Sequence, residues 1–254
     1  MSDNEVKLLQ QTPMLDFGNP AIGDLIEKRR WRQLSRYDRI GAAYEFVRNE
    51  IAFGYNSADE IAASRVLADG YGQCNTKATL LMALFRALEI PCRLHGFTIH
   101  KSLQRGVMPE LVYRIAPGNI VHSWVEVLYN DKWINLEGFI LDDAYVASLQ
   151  AACEESSICA FGAGTDRLMD PQTSWNGTDT YIQRTGINAD LGLFASPDEF
   201  YGSHSQQISG LRRLAYVYFI RHWMNRRVAN IRAGAVPKLP TGRPHMRSQG
   251  AELM

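Results

Sequence analysis

The stretch that most constrains this chain is CNTKATLLMALFRALEIP, residues 74–91. Strong helix formers dominate it, Leu80, Leu81, Leu84 and Leu88 fall along one side, and Pro91 cannot continue it. The pattern predicts a buried helix from Lys77 to Leu88. Gly70 and Gly72 break the chain just before it, which leaves Cys74 at or just before the first turn, where backbone N–H groups converge. Whatever forms around this helix, its thiol sits at the end that favours negative charge.

Other elements follow from spacing. Ser35 with Asp38 makes a capping-box-like start, and Ile40, Tyr44, Val47 and Ile51 form one stripe of a helix near 36–50. After Pro91, CRLHGFTI (92–99), HSWVEVLY (122–129) and KWINLEGFIL (132–141) read as strands, the last two joined by Asn130-Asp131 as a hairpin. Residues 100–120 read as an excursion between strands. Residues 151–204 show no periodicity and are assigned only as loop-rich. Val217, Ile220, Met224, Val228 and Ile231 make an apolar stripe among the arginines of a long helix over 211–232, with a frayed tail beyond Gly234. The expected division is an extension over 1–35, a catalytic domain over 36–204, a basic helix over 205–233 and a flexible tail over 234–254.

A cysteine is a useful nucleophile at neutral pH as thiolate, and a helix N-terminus or a neighbouring imidazolium lowers its pKa from about 8.5 into the range of roughly 3.5–7.5. Cys74, in DGYGQC, has the first arrangement; the plainer alternative is a small buried hydrophobe. Hairpin register supplies a base. If Asn130 and Asp131 are the turn, Tyr129 pairs with Lys132, Trp124 lies opposite Glu137 and His122 opposite Phe139. His122, Trp124, Asn135, Glu137 and Phe139 then share a face, with Glu137 diagonal to His122, their Cβ atoms about 7–8 Å apart or less. A one-residue bulge would undo this. Gln73 or Tyr71 is a candidate second donor, beside the Cys74 N–H, for an oxyanion, and Trp124 is either sheet packing or a wall of the cleft. The remaining histidines, His95, His100, His204, His222 and His245, share no ligand spacing and are taken as surface or loop residues. Cys92, Cys153 and Cys159 are taken as inert thiols.

Composition narrows the class. An apolar fraction of 46% over 254 residues suits a globular domain with a real core. The start, MSDNEVKLLQQTPML, has no cationic segment followed by an apolar one, and no apolar run approaches about eighteen residues. The cysteines form no CxxC pair and no Cys/His zinc spacing, so no metal and no cofactor is expected and a reducing cytoplasm is the expected compartment. The net charge of zero conceals nine Arg or Lys against the single acid Glu252 from residue 205 onward. That basic C-terminal helix is open to three readings: a solvated face, a subunit contact in a homo-oligomer, or contact with an anionic partner.

SRVLADGYGQCNTKATLLMALFRALEIPCRLHGF, then HSWVEV, then W-I-N-L-E resembles the core of the transglutaminase-like superfamily, and YEFVRNEIAFGYN is similar to that family's upstream helix and strand. The resemblance covers roughly residues 36–142. It implies an α+β, papain-like fold with a Cys at the start of a central helix packed on an antiparallel sheet, here with an added C-terminal helix. It also implies a catalytic triad, Cys74 as nucleophile, His122 as base and a third acid; that acid is usually Asp, whereas here it is Glu137, with Asp142 and Asp143 in reserve. The implied chemistry is a cysteine amidohydrolase or peptidase acting through a thioester on a peptide, protein or small-molecule amide. Acyl transfer to an amine and a catalytically silent binding module are the alternatives.

Overall fold

A computed structural model of the chain describes residues 6–153, 163–165, 168, 170–204 and 210–235. Cys159, His245, the side chain of Cys153 and the tail from 236 onward lie outside them. In chain order come α1 (Pro20–Lys28), α2 (Arg36–Glu45) running into a π-helical turn (Phe46–Glu50), β1 (Ala52–Phe53), α3 (Ala63–Asp69), β2 (Tyr71–Gly72) and α4 (Cys74–Ala87). Then follow β3 (Cys92–His100), α5 (Glu110–Ile115), β4 (Asn119–Tyr129), β5 (Lys132–Leu136), α6 (Asp143–Cys153), β6 (Ile187–Phe194) and α7 (Pro197–Ser203). The C-terminal helix consists of α8 (Leu211–Ala215), a π-helical stretch (Tyr216–Ile220) and α9 (Arg221–Arg232).

The central element is α4. It begins three residues before the apolar pattern does, because Gln73 and Thr76 cap each other, the Gln73 N–H donating to Thr76 Oγ1 at 3.1 Å. Every residue from Asn75 to Ala87 is buried, enclosed by α1, α2, α3 and the sheet. A helix buried on all sides must satisfy its polar side chains internally. Lys77 Nζ donates to the carbonyls of Arg48 and Ile140, each at 3.1 Å, and burial pushes its pKa down to about 7. Arg86 donates to the carbonyls of Gln10, Cys92 and Ala195. Residues before Ser35 belong to the same core, since Leu15, Ile22 and Ile26 are fully buried.

The sheet is antiparallel in the order β5-β4-β3-β6. Asn130 and Asp131 both have positive φ, the two-residue hairpin turn expected there, and pairing runs in the expected register from Tyr129↔Lys132 to Val125↔Leu136. Three expectations need correction. β5 ends at Leu136 rather than at 141, because the chain turns at Gly138, where a Cβ would lie 2.5 Å from Tyr44 Oη and 2.8 Å from Thr173 Cα. The segment 151–204 is more than loop, since it supplies the edge strand β6 and helix α7; β6 gave no period because its pairing with β3 is broken by register shifts beside Gly96 and Thr98. His95 also departs from the surface assignment: it sits in β3 with Nδ1 2.7 Å from Glu126 and Nε2 3.0 Å from Asp190, tying three strands together.

The C-terminal helix packs on α6 through Met224, Val228 and Ile231, as its stripe predicts. Its arginines divide. Arg212, Arg213 and Arg226 are exposed, while Arg221, Arg227 and Arg232 bond inward. Arg232 meets Asp142 at 2.5 Å, and that carboxylate also accepts the N–H groups of Phe53 and Tyr145, each at 2.9 Å. Burial works to raise the Asp142 pKa, but Arg232 and those two donors outweigh it and hold the carboxyl below its usual range. Because the folded pKa is depressed, this stabilisation is present above the ordinary carboxylate pKa and is lost as pH falls through the lowered value. Arg232→Met is therefore expected to cost about 1–3 kcal/mol in urea denaturation at pH 7. The gap to wild type should narrow as pH falls below about 4, where the carboxylate becomes protonated.

Candidate active site

Cys74 is the first residue of α4 and is partly buried, its Sγ 3.6 Å from Asn75 Oδ1. Asn75 is itself fixed, donating to the Val121 carbonyl at 3.2 Å and accepting from Ser123 Oγ at 3.0 Å, which joins the helix start to β4 on either side of His122. His122 and Glu137 are both fully buried, with Nε2 2.9 Å from Oε1. The contact arises from the diagonal placement in the hairpin: Glu137 is the first residue beyond β5, and its side chain reaches back to the imidazole. Burial works to lower the His122 pKa, but Cys74 and Glu137 together outweigh it and push it up to about 10. Nδ1 is buried and makes no hydrogen bond of normal geometry, so Cys74 is the group acting on that side of the ring.

The carboxylate of Glu137 is held by residues that the sequence did not single out. Its Oε2 accepts the N–H groups of Ile182 at 2.9 Å and Gln183 at 3.1 Å, while its own N–H donates to the Thr180 carbonyl at 3.1 Å. These backbone donors carry no side-chain signature. Trp124 is buried rather than lining an open cleft: its indole donates to Asn135 Oδ1 at 3.0 Å, lies edge-on to His122 at 6.4 Å and packs on Phe97 at 4.0 Å. It screens the imidazole from water. Asn135 is held by Trp124 and Asp179, Asp142 by Arg232, and Asp143 by Arg48, so none of the three pairs with His122.

Both candidate oxyanion donors have hydrogen-bond partners. Gln73 Oε1 accepts from the Asn56 N–H at 2.9 Å and its Nε2 donates to Asp59 at 2.7 Å, a carboxyl whose pKa burial raises. The Tyr71 hydroxyl accepts from Arg221 at 3.4 Å. Cys92 is fully buried, and burial pushes its thiol up. Among the described residues no group of three His, Cys, Asp or Glu gathers as a metal site, and no helix is long and apolar enough to cross a membrane.

Residues 27–138, which contain Cys74, His122 and Glu137, match the family model of the transglutaminase-like superfamily, the family that the motifs resemble. Solved structures similar to the chain include a protein from Cytophaga hutchinsonii described as a candidate cysteine protease, at 14% identity and a TM-score of 0.44 over 78% of this chain. Red sea bream transglutaminase is similar at 16% identity and a TM-score of 0.31 over 92% of this chain. The chain spans 50% of the length of the first and 41% of the second. No curated protein matches the sequence.

Glu137→Gln keeps the size and an acceptor for the imidazole but removes the charge that favours the ring's protonated form. The His122 pKa is expected to fall well below about 10 in this variant, read from imidazole 15N shifts across a pH series, with melting temperature little changed. An unaltered titration would mean that Glu137 does not stabilise the imidazolium.

Proposed function

We propose that the chain is a cysteine-nucleophile acyl-transfer enzyme that cleaves an amide or peptide bond through a thioester on Cys74. The observation that supports this is the buried His122–Glu137 pair, fully shielded from water, with its second ring nitrogen free of any other partner on the side where Cys74 acts. A buried ion pair is a poor way to stabilise a fold. A histidine whose protonated form is held by a carboxylate and a thiol is a good way to deliver protons.

The Cys74 thiolate attacks the carbonyl carbon to form the C–S bond. As the C–N bond breaks, His122 passes its proton to the departing amine. Water then attacks the thioester, returns a proton to His122, and the C–S bond breaks to regenerate the thiolate. Glu137 holds the ring in the orientation and tautomer that both transfers need. Hydrolysis is the favoured second step; an amine in place of water would give the transferase outcome. Trp124 lies edge-on to the ring and packs on Phe97 and Tyr181, an apolar cluster that keeps the local dielectric low and lengthens the reach of these charges.

Incubation with p-nitrophenyl acetate, followed by mass spectrometry of the intact protein and its peptides, is expected to find one acetyl group on Cys74. Cys74→Ala should abolish it, and His122→Ala should slow it by about 10²- to 10⁴-fold. Acetylation at another residue, or full acetylation of the Cys74→Ala protein, would sink the assignment. Adding an alkylamine to the acetylated enzyme separates the two second steps, since transfer yields the N-acetylamine and hydrolysis yields acetate.

Iodoacetamide is expected to modify Cys74 before the buried Cys92 at pH 6. Proton delivery sets a second expectation. Because the His122 pKa is raised, its proton is present through neutral pH and is lost as pH rises through about 10. Amide turnover should fall there, whereas alkylation of Cys74, which needs no proton donor, should not.

A further inference from the structure

Five tyrosines are buried among the described residues, and four of them spend their hydroxyl on a partner. Tyr44 donates to the Thr173 carbonyl at 2.7 Å, Tyr145 to the Ala163 carbonyl at 2.9 Å, Tyr181 to Asp179 at 2.8 Å and Tyr55 to Gln104. The fifth, Tyr201, is only 6% exposed and its hydroxyl has no hydrogen-bond partner. A buried hydroxyl without a partner is unfavourable, and phenylalanine would serve the packing better.

The phenol is firmly held. Phe200, the preceding residue on α7, presses on β3 at Gly96, where a Cβ would lie 2.3 Å from the ring. The Tyr201 ring packs on Phe200 at 4.9 Å, and Asp198 fastens the same helix to the N-terminal segment by accepting the Met14 N–H at 3.0 Å. Gly96 pairs with Ser123, the residue next to His122, so α7 lies over the part of the sheet that faces the start of α4. The polar groups acting on the Tyr201 hydroxyl are Asp59, Cys74, Ser123 and Glu60. Ser123 Oγ is turned to Asn75, and the Asp59 carboxylate receives Gln73. Burial raises the phenol's pKa well above its ordinary value, so it remains an O–H donor.

A thiolate attacking a carbonyl needs donors for the oxygen that becomes negative. The Cys74 N–H, at the first helical position, has no intrahelical acceptor and is one donor. Of the side chains nearest in sequence, Gln73 gives its amide to Asp59, and the Tyr71 oxygen is tied to Arg221 of the C-terminal helix. We propose that the unpartnered hydroxyl of Tyr201 is the second donor, giving its hydrogen bond to the carbonyl oxygen of the acyl group under attack by Cys74. This assignment rests on the acyl-transfer reading of the site. It explains why a tyrosine stands where packing alone asks for phenylalanine.

Tyr201→Phe separates this role from a structural one because two reactions at the same sulfur make different demands. Alkylation by iodoacetamide is a displacement at saturated carbon and forms no oxyanion; acetylation by p-nitrophenyl acetate passes through one. The variant is expected to melt at the wild-type temperature or above, to be alkylated at Cys74 at the wild-type rate, and to be acetylated more slowly by on the order of 10²-fold. Unchanged acetylation overturns the proposal. An equal loss in both reactions also overturns it, since that marks an effect on the thiol or its access. A clear drop in melting temperature overturns it as well, because the hydroxyl would then have a partner within the fold. If wild-type Cys74 takes neither reagent, the acyl-transfer reading itself fails, which is a separate result.

Discussion

Burying α4 on every side is the constraint from which the rest of the structure follows. An enclosed helix cannot let its polar residues reach water, so each must find a partner in a surrounding element, and each partnership fixes that element in turn. Thr76 takes Asn56 at 2.6 Å, Lys77 takes the carbonyls of Arg48 and Ile140, and Arg86 reaches the carbonyls of Gln10, Cys92 and Ala195. Only the first residue, Cys74, stands at the edge of this enclosure. The position of Cys74 therefore follows from the packing of the helix that it begins.

Two buried ion pairs show how similar parts yield different properties. Asp142 with Arg232 is saturated, since the carboxylate takes four hydrogen bonds from Arg232, Phe53 and Tyr145, and this pair joins β1, α6 and the C-terminal helix. His122 with Glu137 is saturated on the carboxylate side alone: Glu137 accepts from the ring and from two backbone N–H groups, while Nδ1 is left for the thiol. A fully satisfied pair contributes to the fold, and a pair with one open valence is poised to act.

Much of this site could be read from the chain because its parts lie close in sequence and obey short rules. Two turn residues fix a register, and the register brings Glu137 diagonal to His122 wherever else the chain goes. The reading overran where tertiary contacts took over. β5 gives way before 141 because Gly138 fits between Tyr44 and Thr173, residues far from it in sequence. The backbone donors of Ile182 and Gln183 were illegible for a deeper reason, since a backbone N–H is common to nearly every residue and its aim depends on the whole fold. The same applies to Tyr201, whose significance lies in a missing hydrogen bond, and a missing bond cannot be read from residue types.

The concentration of positive charge near the C-terminus is best understood through the elements its helix supports. Asn225 clamps both backbone groups of Tyr55, accepting at 2.6 Å and donating at 3.0 Å, and the Tyr216 hydroxyl donates to the Asn56 carbonyl at 3.1 Å. Asn56 in turn binds the Gln73 side chain and the Tyr71 carbonyl, the two residues of the approach to Cys74. Arg221 reaches the Tyr71 hydroxyl, and Arg232 holds the Phe53 carbonyl. Loops that lead into a helix N-terminus have few ladder bonds of their own, and here a two-residue parallel pair, β1 with β2, is all the sheet structure they possess. Arg221, Arg232 and Asn225 supply what that short pair lacks. Arg221 and Arg232 thus act on the segments that lead to Cys74, and a helix far along the chain becomes part of the support for the start of α4.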